Sequence, residues 1–364
     1  MMSERSICEL LSSMLPSGRL NGCFESDAEV IELNGARCLF TTDEFSAEDL
    51  FREDKPYALG WNIAVGAISD ILACGGVPRF YAHALTVDAR WDKAYVTRFG
   101  EGVRDVLEAT GARFIGGDCG RAREWRCTAS VLGTCEQAPV LRRGAAVGEL
   151  IYLSGRIGAG NLEAALREHL GQPVGRAVPA SRNTLQIAHA GGSPGRLTLP
   201  QSSNQFALRV RESALMRQYA TACIDTSDGV WSALDTIANL NACGYAIAGL
   251  PYLEAGRRFC ATAGLPESIL FFGQCGEYEL LFTLKPEREP AFLNEARQNG
   301  LAFCRLGQLT PAGRVLREKD GEVDLASLDL QARDFASPQE YLAALLGWLG
   351  KQKSTRIGKT GRNR

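Results

Sequence analysis

Four apolar runs in this chain end the same way, in small or hydroxyl residues and an aspartate. Leu39-Phe40-Thr41-Thr42-Asp43 is the first and Ile68-Ser69-Asp70 the second. Phe114-Ile115-Gly116-Gly117-Asp118 and Cys223-Ile224-Asp225-Thr226-Ser227-Asp228-Gly229 follow. A chain built this way alternates short strands and helices and delivers carboxylates to the turns between them. Such carboxylates are hard oxygen ligands that suit Mg²⁺, which keeps coordination positions for water and substrate phosphates. Small neighbours let a bulky polyphosphate approach the backbone. The pattern therefore points to a Mg²⁺-nucleotide enzyme.

At 364 residues the chain is too long for one ordinary core, so two domains are expected. A net charge of −2 gives no electrostatic footprint for nucleic acid. No apolar run is long enough to span a bilayer, and the N-terminus lacks a basic-then-apolar signal, so neither a membrane nor export is expected and the cytoplasm is the default. Twelve cysteines and three histidines (His83, His169, His189) are scattered without a Cys-x-x-Cys pair. Spacing of that kind reads as small buried hydrophobes rather than a zinc or iron–sulfur site.

Along the chain, residues 4–15 read as an amphipathic helix. Asn34-Gly35 joins the alternating segment 28–33 to a returning strand 37–42 that delivers Asp43 at its end. Helices are expected over 57–74, 94–110, 161–170, 212–220, 230–241 and 290–299. Strands are expected over 81–87, 113–115, 128–134, 150–154, 222–224, 278–283 and 302–309. Residues 171–205, rich in Gly, Pro, Ser and Asn, read as a surface excursion with a helical turn at 184–189. Each half carries an acidic turn before a helix, in the manner of a distant duplication. The fold class is α+β. The domains are 1–148 (ATP, metal and dimerisation), 149–345 (α/β), and a basic, disordered tail 346–364; its stretch 351–364 has six basic residues and no acidic one.

Each motif has a plain structural alternative. Ser227 or Asp228 serves equally as a helix N-cap, although a cap explains only one of the two acidic residues Asp225 and Asp228. Gly116-Gly117-Asp118 is also a turn, Asp70 a solvated helix face, and Arg142 or Arg143 a surface cation as readily as a bidentate phosphate partner. Gly-x-x-x-x-Gly-Lys-Ser/Thr and a Gly-x-Gly-x-x-Gly after a first strand are both missing, which excludes P-loop enzymes and disfavours Rossmann dehydrogenases.

Six motifs in order carry a resemblance. They are Thr41-Thr42-Asp43, Gly60-Trp61 with 69–78 (Ser-Asp-Ile-Leu-Ala-Cys-Gly-Gly-Val-Pro), Gly116-Gly117-Asp118, Leu141-Arg142-Arg143-Gly144-Ala145, 224–229, and 277–283 (Glu-Tyr-Glu-Leu-Leu-Phe-Thr). Over about residues 24–335 the chain resembles the thiamine-monophosphate kinase family. That family belongs to the superfamily of aminoimidazole ribonucleotide synthetase, selenophosphate synthetase and a hydrogenase-maturation protein. The resemblance implies an N-terminal mixed sheet that forms a barrel across a homodimer axis, a C-terminal α/β sandwich, and ATP with several Mg²⁺ ions in the cleft between them. It implies metal ligands at Asp27, Asp43, Asp70, Asp118 and Asp228, and nucleotide contacts at Thr42, Gly117, Asp118, Arg142 and Ser227. It also implies catalytic roles for Asp228 and Arg142, and a small-molecule phosphoryl acceptor near Glu277, Tyr278 and Phe335.

Departures qualify the match. The family's Gly-Asp-Asp reads Glu25-Ser26-Asp27, so one carboxylate is missing unless Glu25 substitutes. Its Gly-Gly-Glu-Asp-Tyr-Glu reads Gln274-Cys275-Gly276-Glu277-Tyr278-Glu279, and its Gly-Asp after the arginine reads Gly148-Glu149. Its Gly-aromatic-Asp-His-Phe aligns with Gln331-Ala332-Arg333-Asp334-Phe335, without the aromatic or the His. ATP and metal binding are expected to persist, with thiamine monophosphate a poor acceptor unless Trp231 or Tyr278 supplies the stack. Two other readings stand: an ATP-dependent synthetase or cyclase of the superfamily, and a non-catalytic nucleotide-binding subunit.

Overall fold

The computed structural model describes residues 4–47, 49, 54–169, 184–187, 195–198, 205–318 and 321–360. An N-terminal helix α1 (Glu4–Met14) leads into β1 (Glu29–Leu33), β2 (Ala36–Ser46), α2 (Pro56–Ala73), β3 (Val77–Asp88), α3 (Lys93–Thr110), β4 (Arg113–Ala122) and β5 (Arg126–Thr134). These strands form a five-stranded sheet in the order β1-β2-β5-β3-β4, antiparallel except for the parallel β3–β4 pair. Asn34 and Gly35 both take positive φ, as the tight β1–β2 hairpin requires.

The remaining chain runs through β6 (Leu150–Leu153), α4 (Ala159–His169), β7 (Thr184–Ile187), β8 (Gly195–Thr198), α5 (Val210–Met216) and β9 (Ala220–Asp225). It continues with α6 (Val230–Leu240), β10 (Gly244–Ala248), α7 (Glu254–Ala263), α8 (Ile269–Phe272), β11 (Leu280–Leu284), α9 (Glu289–Gln298), β12 (Cys304–Thr310), β13 (Arg314–Glu318), β14 (Gly321–Asp324) and α10 (Pro338–Thr360). A mixed seven-stranded sheet has the order β14-β13-β10-β12-β6-β11-β9, and β7 pairs only with β8. The two large sheets differ in strand number and order, so the expected duplication is not repeated in topology. Neither sheet closes into a barrel. No described helix is long and apolar enough to cross a membrane.

Helix α2 holds the site in place. Pro56 starts it with a fixed φ, and Gly75 ends it in the left-handed region. It is buried nearly all round, against β2 and β5 of the first sheet, α3, and β9 of the second. Its small residues make that burial possible. A Cβ at Gly60 would lie 2.0 Å from the Phe99 carbonyl oxygen of α3, and one at Gly102 would lie 2.1 Å from that of Tyr57. One core runs from the inner face of the first sheet through α2 to Tyr152 and Phe282 of the second. A further core lies on the other face of the second sheet, under α6 and α10.

Several expectations are corrected. Strand β2 continues to Ser46, so Asp43 sits inside a strand opposite Ala129, not at its end. Gly116-Gly117-Asp118 lies within β4, where the register with β3 shifts between Tyr81 and His83. Gly117 is required there because a Cβ would sit 1.8 Å from the His83 carbonyl oxygen. Residues 184–187 form a strand rather than a helical turn, and Ala220 begins β9 rather than ending a helix. Most of the excursion 171–205 lies outside the described residues. Through Thr360 the expected disordered tail is helix α10. Tyr341, Leu345 and Leu349 of that helix fill the second core, an anchor that the basic composition hides.

Candidate functional site

Four aspartates converge where α2 passes between the sheets. Asp27 comes from the loop before β1, Asp43 from β2, Asp70 from α2 and Asp225 from the end of β9. Oxygens of Asp27, Asp70 and Asp225 lie within 4.8 Å of one another. Asp43 is close enough that Asp225 and Asp27 both raise its carboxyl.

The side chains that contact these carboxylates come from the same elements. Thr41 Oγ1 donates to Asp70 Oδ2 at 2.5 Å. The Ser69 hydroxyl lies 2.7 Å from the Gly66 carbonyl and also contacts Asp225 Oδ2, tying α2 to the second sheet. Ser227 Oγ donates to Asp225 Oδ1 at 2.8 Å. Arg142 donates from Nε and Nη2 to Asp27 Oδ1, at 3.0 and 2.5 Å. The Asp27 side chain is 1% exposed and that of Arg142 is 19% exposed.

Negative charge exceeds positive here. Among the described residues the ion pair within the cluster is Arg142 with Asp27, and Arg143 pairs with Glu25 at 2.6 Å. Burial and mutual repulsion raise Asp27 to about 6 and Asp43 to about 7, and lift Asp70 well above the carboxylate range. Asp27 Oδ2 and Asp43 Oδ2 are buried without a hydrogen-bond partner. Orphaned hard oxygens in an over-acidic, partly enclosed cluster fit a divalent cation.

The other predicted residues are placed differently. Thr42 points to the opposite face of β2, where it bonds Ser130 at 3.0 Å; the neighbour that reaches the cluster is Thr41. Asp118 is exposed on edge strand β4 and accepts its neighbour's backbone N–H. Its strand is three spacings from that of Asp43, about 14 Å. Ser227 and Asp228 are exposed at the rim. The helix that follows has Gly229 at its N-cap position, so neither Ser227 nor Asp228 occupies it.

Glu277 is buried away from the cluster and takes the N–H groups of Gly158 and Ala159, at 2.8 and 2.7 Å, at the start of α4. Phe335 packs into the second core beside Tyr341. Tyr278 does lie by the cluster: burial first, and then the Asp225, Asp49, Asp43 and Asp228 carboxylates, raise its phenol. Its ring packs on Phe206 at 4.7 Å. Trp231 is 2% exposed and packs against Phe272. Glu25 faces Arg143 and the Gly22 N–H, so it does not replace the missing carboxylate; the Ser26 hydroxyl is buried against Cys74.

Asp225, Thr41 and Ser69 are the contributors that sequence reasoning left unassigned. Strand parity is the signal that finds the first two. Thr41 shares a face with Asp43, and Asp225 ends a strand whose turn carries the motif.

Residues 25–135 match the family model described as AIR synthase related protein, N-terminal domain. Thiamine-monophosphate kinase of Aquifex aeolicus is 25% identical over 298 residues, 80% of this chain and 89% of that protein. A solved structure described as AaThiL complexed with AMPPCP and TMP aligns with TM-score 0.68 at 23% identity, covering 88% of this chain and 96% of the other. A HypE–HypF complex aligns with TM-score 0.64 at 17% identity, covering 89% and 98%, a likeness of fold. Thiamine-monophosphate kinase of Escherichia coli O157:H7 is 30% identical over 307 residues, 82% of this chain and 86% of its own length. At that identity and coverage, the chain belongs to the thiamine-monophosphate kinase family.

Proposed function

We propose that this protein is an ATP- and Mg²⁺-dependent phosphotransferase that phosphorylates a small phosphate-bearing acceptor of the thiamine monophosphate class. The observation that carries the reading is the cluster of four carboxylates with two orphaned buried oxygens and one paired guanidinium. Family membership and relatives named thiamine-monophosphate kinase support it.

In this reading Asp27, Asp43, Asp70 and Asp225 hold Mg²⁺, and Asp228 and Ser227 meet it from the rim. Bound Mg²⁺ neutralises the charge on the transferred phosphoryl group and its leaving oxygen. Arg142 spends Nε and Nη2 on Asp27 and keeps Nη1 to meet a phosphoryl oxygen. Asp27 in turn fixes the guanidinium plane. Transfer is direct and in line, and the residues act by positioning and electrostatics, with no protein nucleophile.

An apolar groove of about 470 Å³ beneath β3 and β4, lined by Leu85, Val96, Phe99, Val103, Leu107 and Phe114, suits the flat face of the nucleotide base. Gly117 and Asp118 stand on its outer strand, and in this reading they run along the nucleotide rather than in the buried cluster. The domains read from sequence serve this arrangement, 1–148 for nucleotide and dimer contacts and 149–345 for the acceptor side, in a cytoplasmic enzyme. Of the aromatic candidates for the acceptor ring, Tyr278 is the one beside the cluster.

A homodimer through the first sheet completes the proposal. Phe40, Leu132 and Phe80 stand in register on the face away from α2, with Phe40 39% and Phe80 41% exposed. Both sheet faces at β4 are open, and Ile115 there is 65% exposed.

Calorimetry with ATP tests the cluster. Binding is expected to require Mg²⁺ and to weaken in Asp228→Asn and Asp118→Asn; equal affinity without Mg²⁺ removes the metal reading. Product analysis separates the synthetase alternative, because a kinase leaves phosphate on the acceptor and a synthetase releases it. Steady-state kinetics with thiamine monophosphate tests the acceptor. The lost C-terminal aromatic predicts weakened binding of that ring by about ten- to a hundredfold, by analogy with base stacking.

A further inference from the structure

Residues 135–149 belong to no helix or strand, yet they carry Arg142 into the carboxylate cluster. An irregular segment of this kind has no ladder to fix it, so other parts of the chain must meet its backbone groups. On one side these parts belong to the first half of the molecule. The Val140 N–H donates to the Cys74 carbonyl at the end of α2, at 3.0 Å, and the Arg142 N–H donates to the Glu25 carbonyl at 2.8 Å. Glu25 stands two residues before Asp27, the carboxylate that takes the Arg142 guanidinium.

On the other side the partner is one side chain. Asn241 closes α6, and its Nδ2 donates to the Arg142 carbonyl at 3.0 Å and to the Ile237 carbonyl of its own helix at 2.8 Å. Its Oδ1 accepts the N–H groups of Gly144 and Ala145, at 2.8 and 3.1 Å. Both donors and both acceptor positions of the amide are thereby used, all of them on backbone. A flipped amide would set like against like at every contact, so its surroundings fix its orientation. Gly144 permits the turn: its φ is +128°, and a Cβ there would lie 2.6 Å from the Thr221 carbonyl oxygen.

The base that holds the amide is rigid. Val230, Trp231, Leu234, Ile237 and Ala238 bury α6 in the second core. The same helix starts just after Ser227 and Asp228 at the rim of the site. Arg142 is thus held at its N–H by the loop that carries Asp27, and at its carbonyl by the helix that follows the acidic turn.

We propose that Asn241 is a positioning residue for phosphoryl transfer. It fixes the backbone of Arg142 so that the guanidinium meets Asp27 with two nitrogens and turns the third toward the transferred phosphoryl group. The role of Arg142 rests on the kinase reading given above; the hold of Asn241 on its backbone does not. A charged group slightly out of place at a reacting centre costs rate more than binding.

Kinetics of the full chain with ATP, Mg²⁺ and thiamine monophosphate tests the role. Asn241→Ala is expected to lower kcat about tenfold while KM for ATP stays within about threefold. Asn241→Asp keeps the side-chain volume and the acceptor for Gly144 and Ala145, but sets an oxygen against the Arg142 carbonyl. It should lose kcat to a similar extent, so the test does not depend on the alanine variant folding. Arg142→Ala combined with Asn241→Ala should be no slower than Arg142→Ala alone, because a residue that acts through Arg142 then has nothing left to position. A wild-type kcat in both single variants, or losses that multiply in the double variant, overturns the proposal. NMR supplies a readout that needs no turnover. The Arg142 Nε–H, donated to Asp27 at 3.0 Å, should exchange with solvent at least about tenfold faster in Asn241→Asp, with the backbone amides of β6 unchanged. Equal exchange overturns the hold of Asn241 on the guanidinium. Faster exchange in a protein that transfers no phosphate overturns the kinase reading instead.

Discussion

Thr41 and Thr42 are neighbours in sequence and end on opposite faces of one sheet. The motif containing them is legible; which hydroxyl reaches the carboxylates is decided by the pleat, and therefore by where β2 begins and ends. Asp225 shows the same limit. It stands three positions before Asp228, and only the end of β9 at Asp225 puts the first carboxylate inside and the second at the rim. Asp225→Asn is accordingly expected to lower Mg²⁺-supported turnover at least about tenfold, roughly 1.4 kcal/mol, with little change in fold. Steady-state kinetics across a Mg²⁺ series checks it, and a wild-type Mg²⁺ dependence would remove Asp225 from the metal set. The raised carboxyls give a second expectation. Asp27 and Asp43 rise from 3.8 to about 6 and 7, so without a cation the folded protein retains protons that the unfolded chain has released. This contribution to stability is full below the unfolded value near 4 and is lost as pH rises through about 7. Mg²⁺ favours the ionised carboxylates and should abolish or reverse that slope. Melting temperatures across this window, with and without Mg²⁺, check it; identical slopes would show that no cation binds these groups.

Among the elements, α2 was readable nearly to the residue because the small residues of 57–74 and the Gly75-Gly76 stop with Pro78 beyond agree. Strand β4 was not. Gly116-Gly117 looks like a turn, yet the glycines serve a register shift in a strand that continues to Ala122. Helix α10 was missed for a different reason. Its last turns carry lysine and arginine, and composition conceals the apolar anchors Leu345 and Leu349. The α2–α3 contact leads to a prediction at this scale. Gly60→Ala and Gly102→Ala would each push a methyl group into backbone of the other helix. Each is expected to cost about 1–3 kcal/mol, read from chemical denaturation. Gly100→Ala, where a Cβ meets nothing within 4 Å, is the control and should be neutral or slightly stabilising.

For the whole molecule, sequence alternation indicated two α+β halves but could not supply the strand orders, which depend on pairings between distant segments. The open face of the first sheet leads to the assembly prediction. Phe80→Asp places a charge in the Phe40–Leu132–Phe80 row and is expected to shift light-scattering mass from dimer to monomer; a monomeric unmutated protein would withdraw the dimer. The wide sequence spacing of the clustered aspartates has a kinetic side. Residues 27, 43, 70 and 225 meet only after both sheets and α2 have docked, so this is a contact set of high sequence separation that closes late. Its closure brings like charges together while the rest of the chain is already compact. A divalent cation in the refolding buffer that binds this cluster would thus accelerate the final docking step, and a chain made in a Mg²⁺-poor medium would linger with its two halves folded and its centre unassembled.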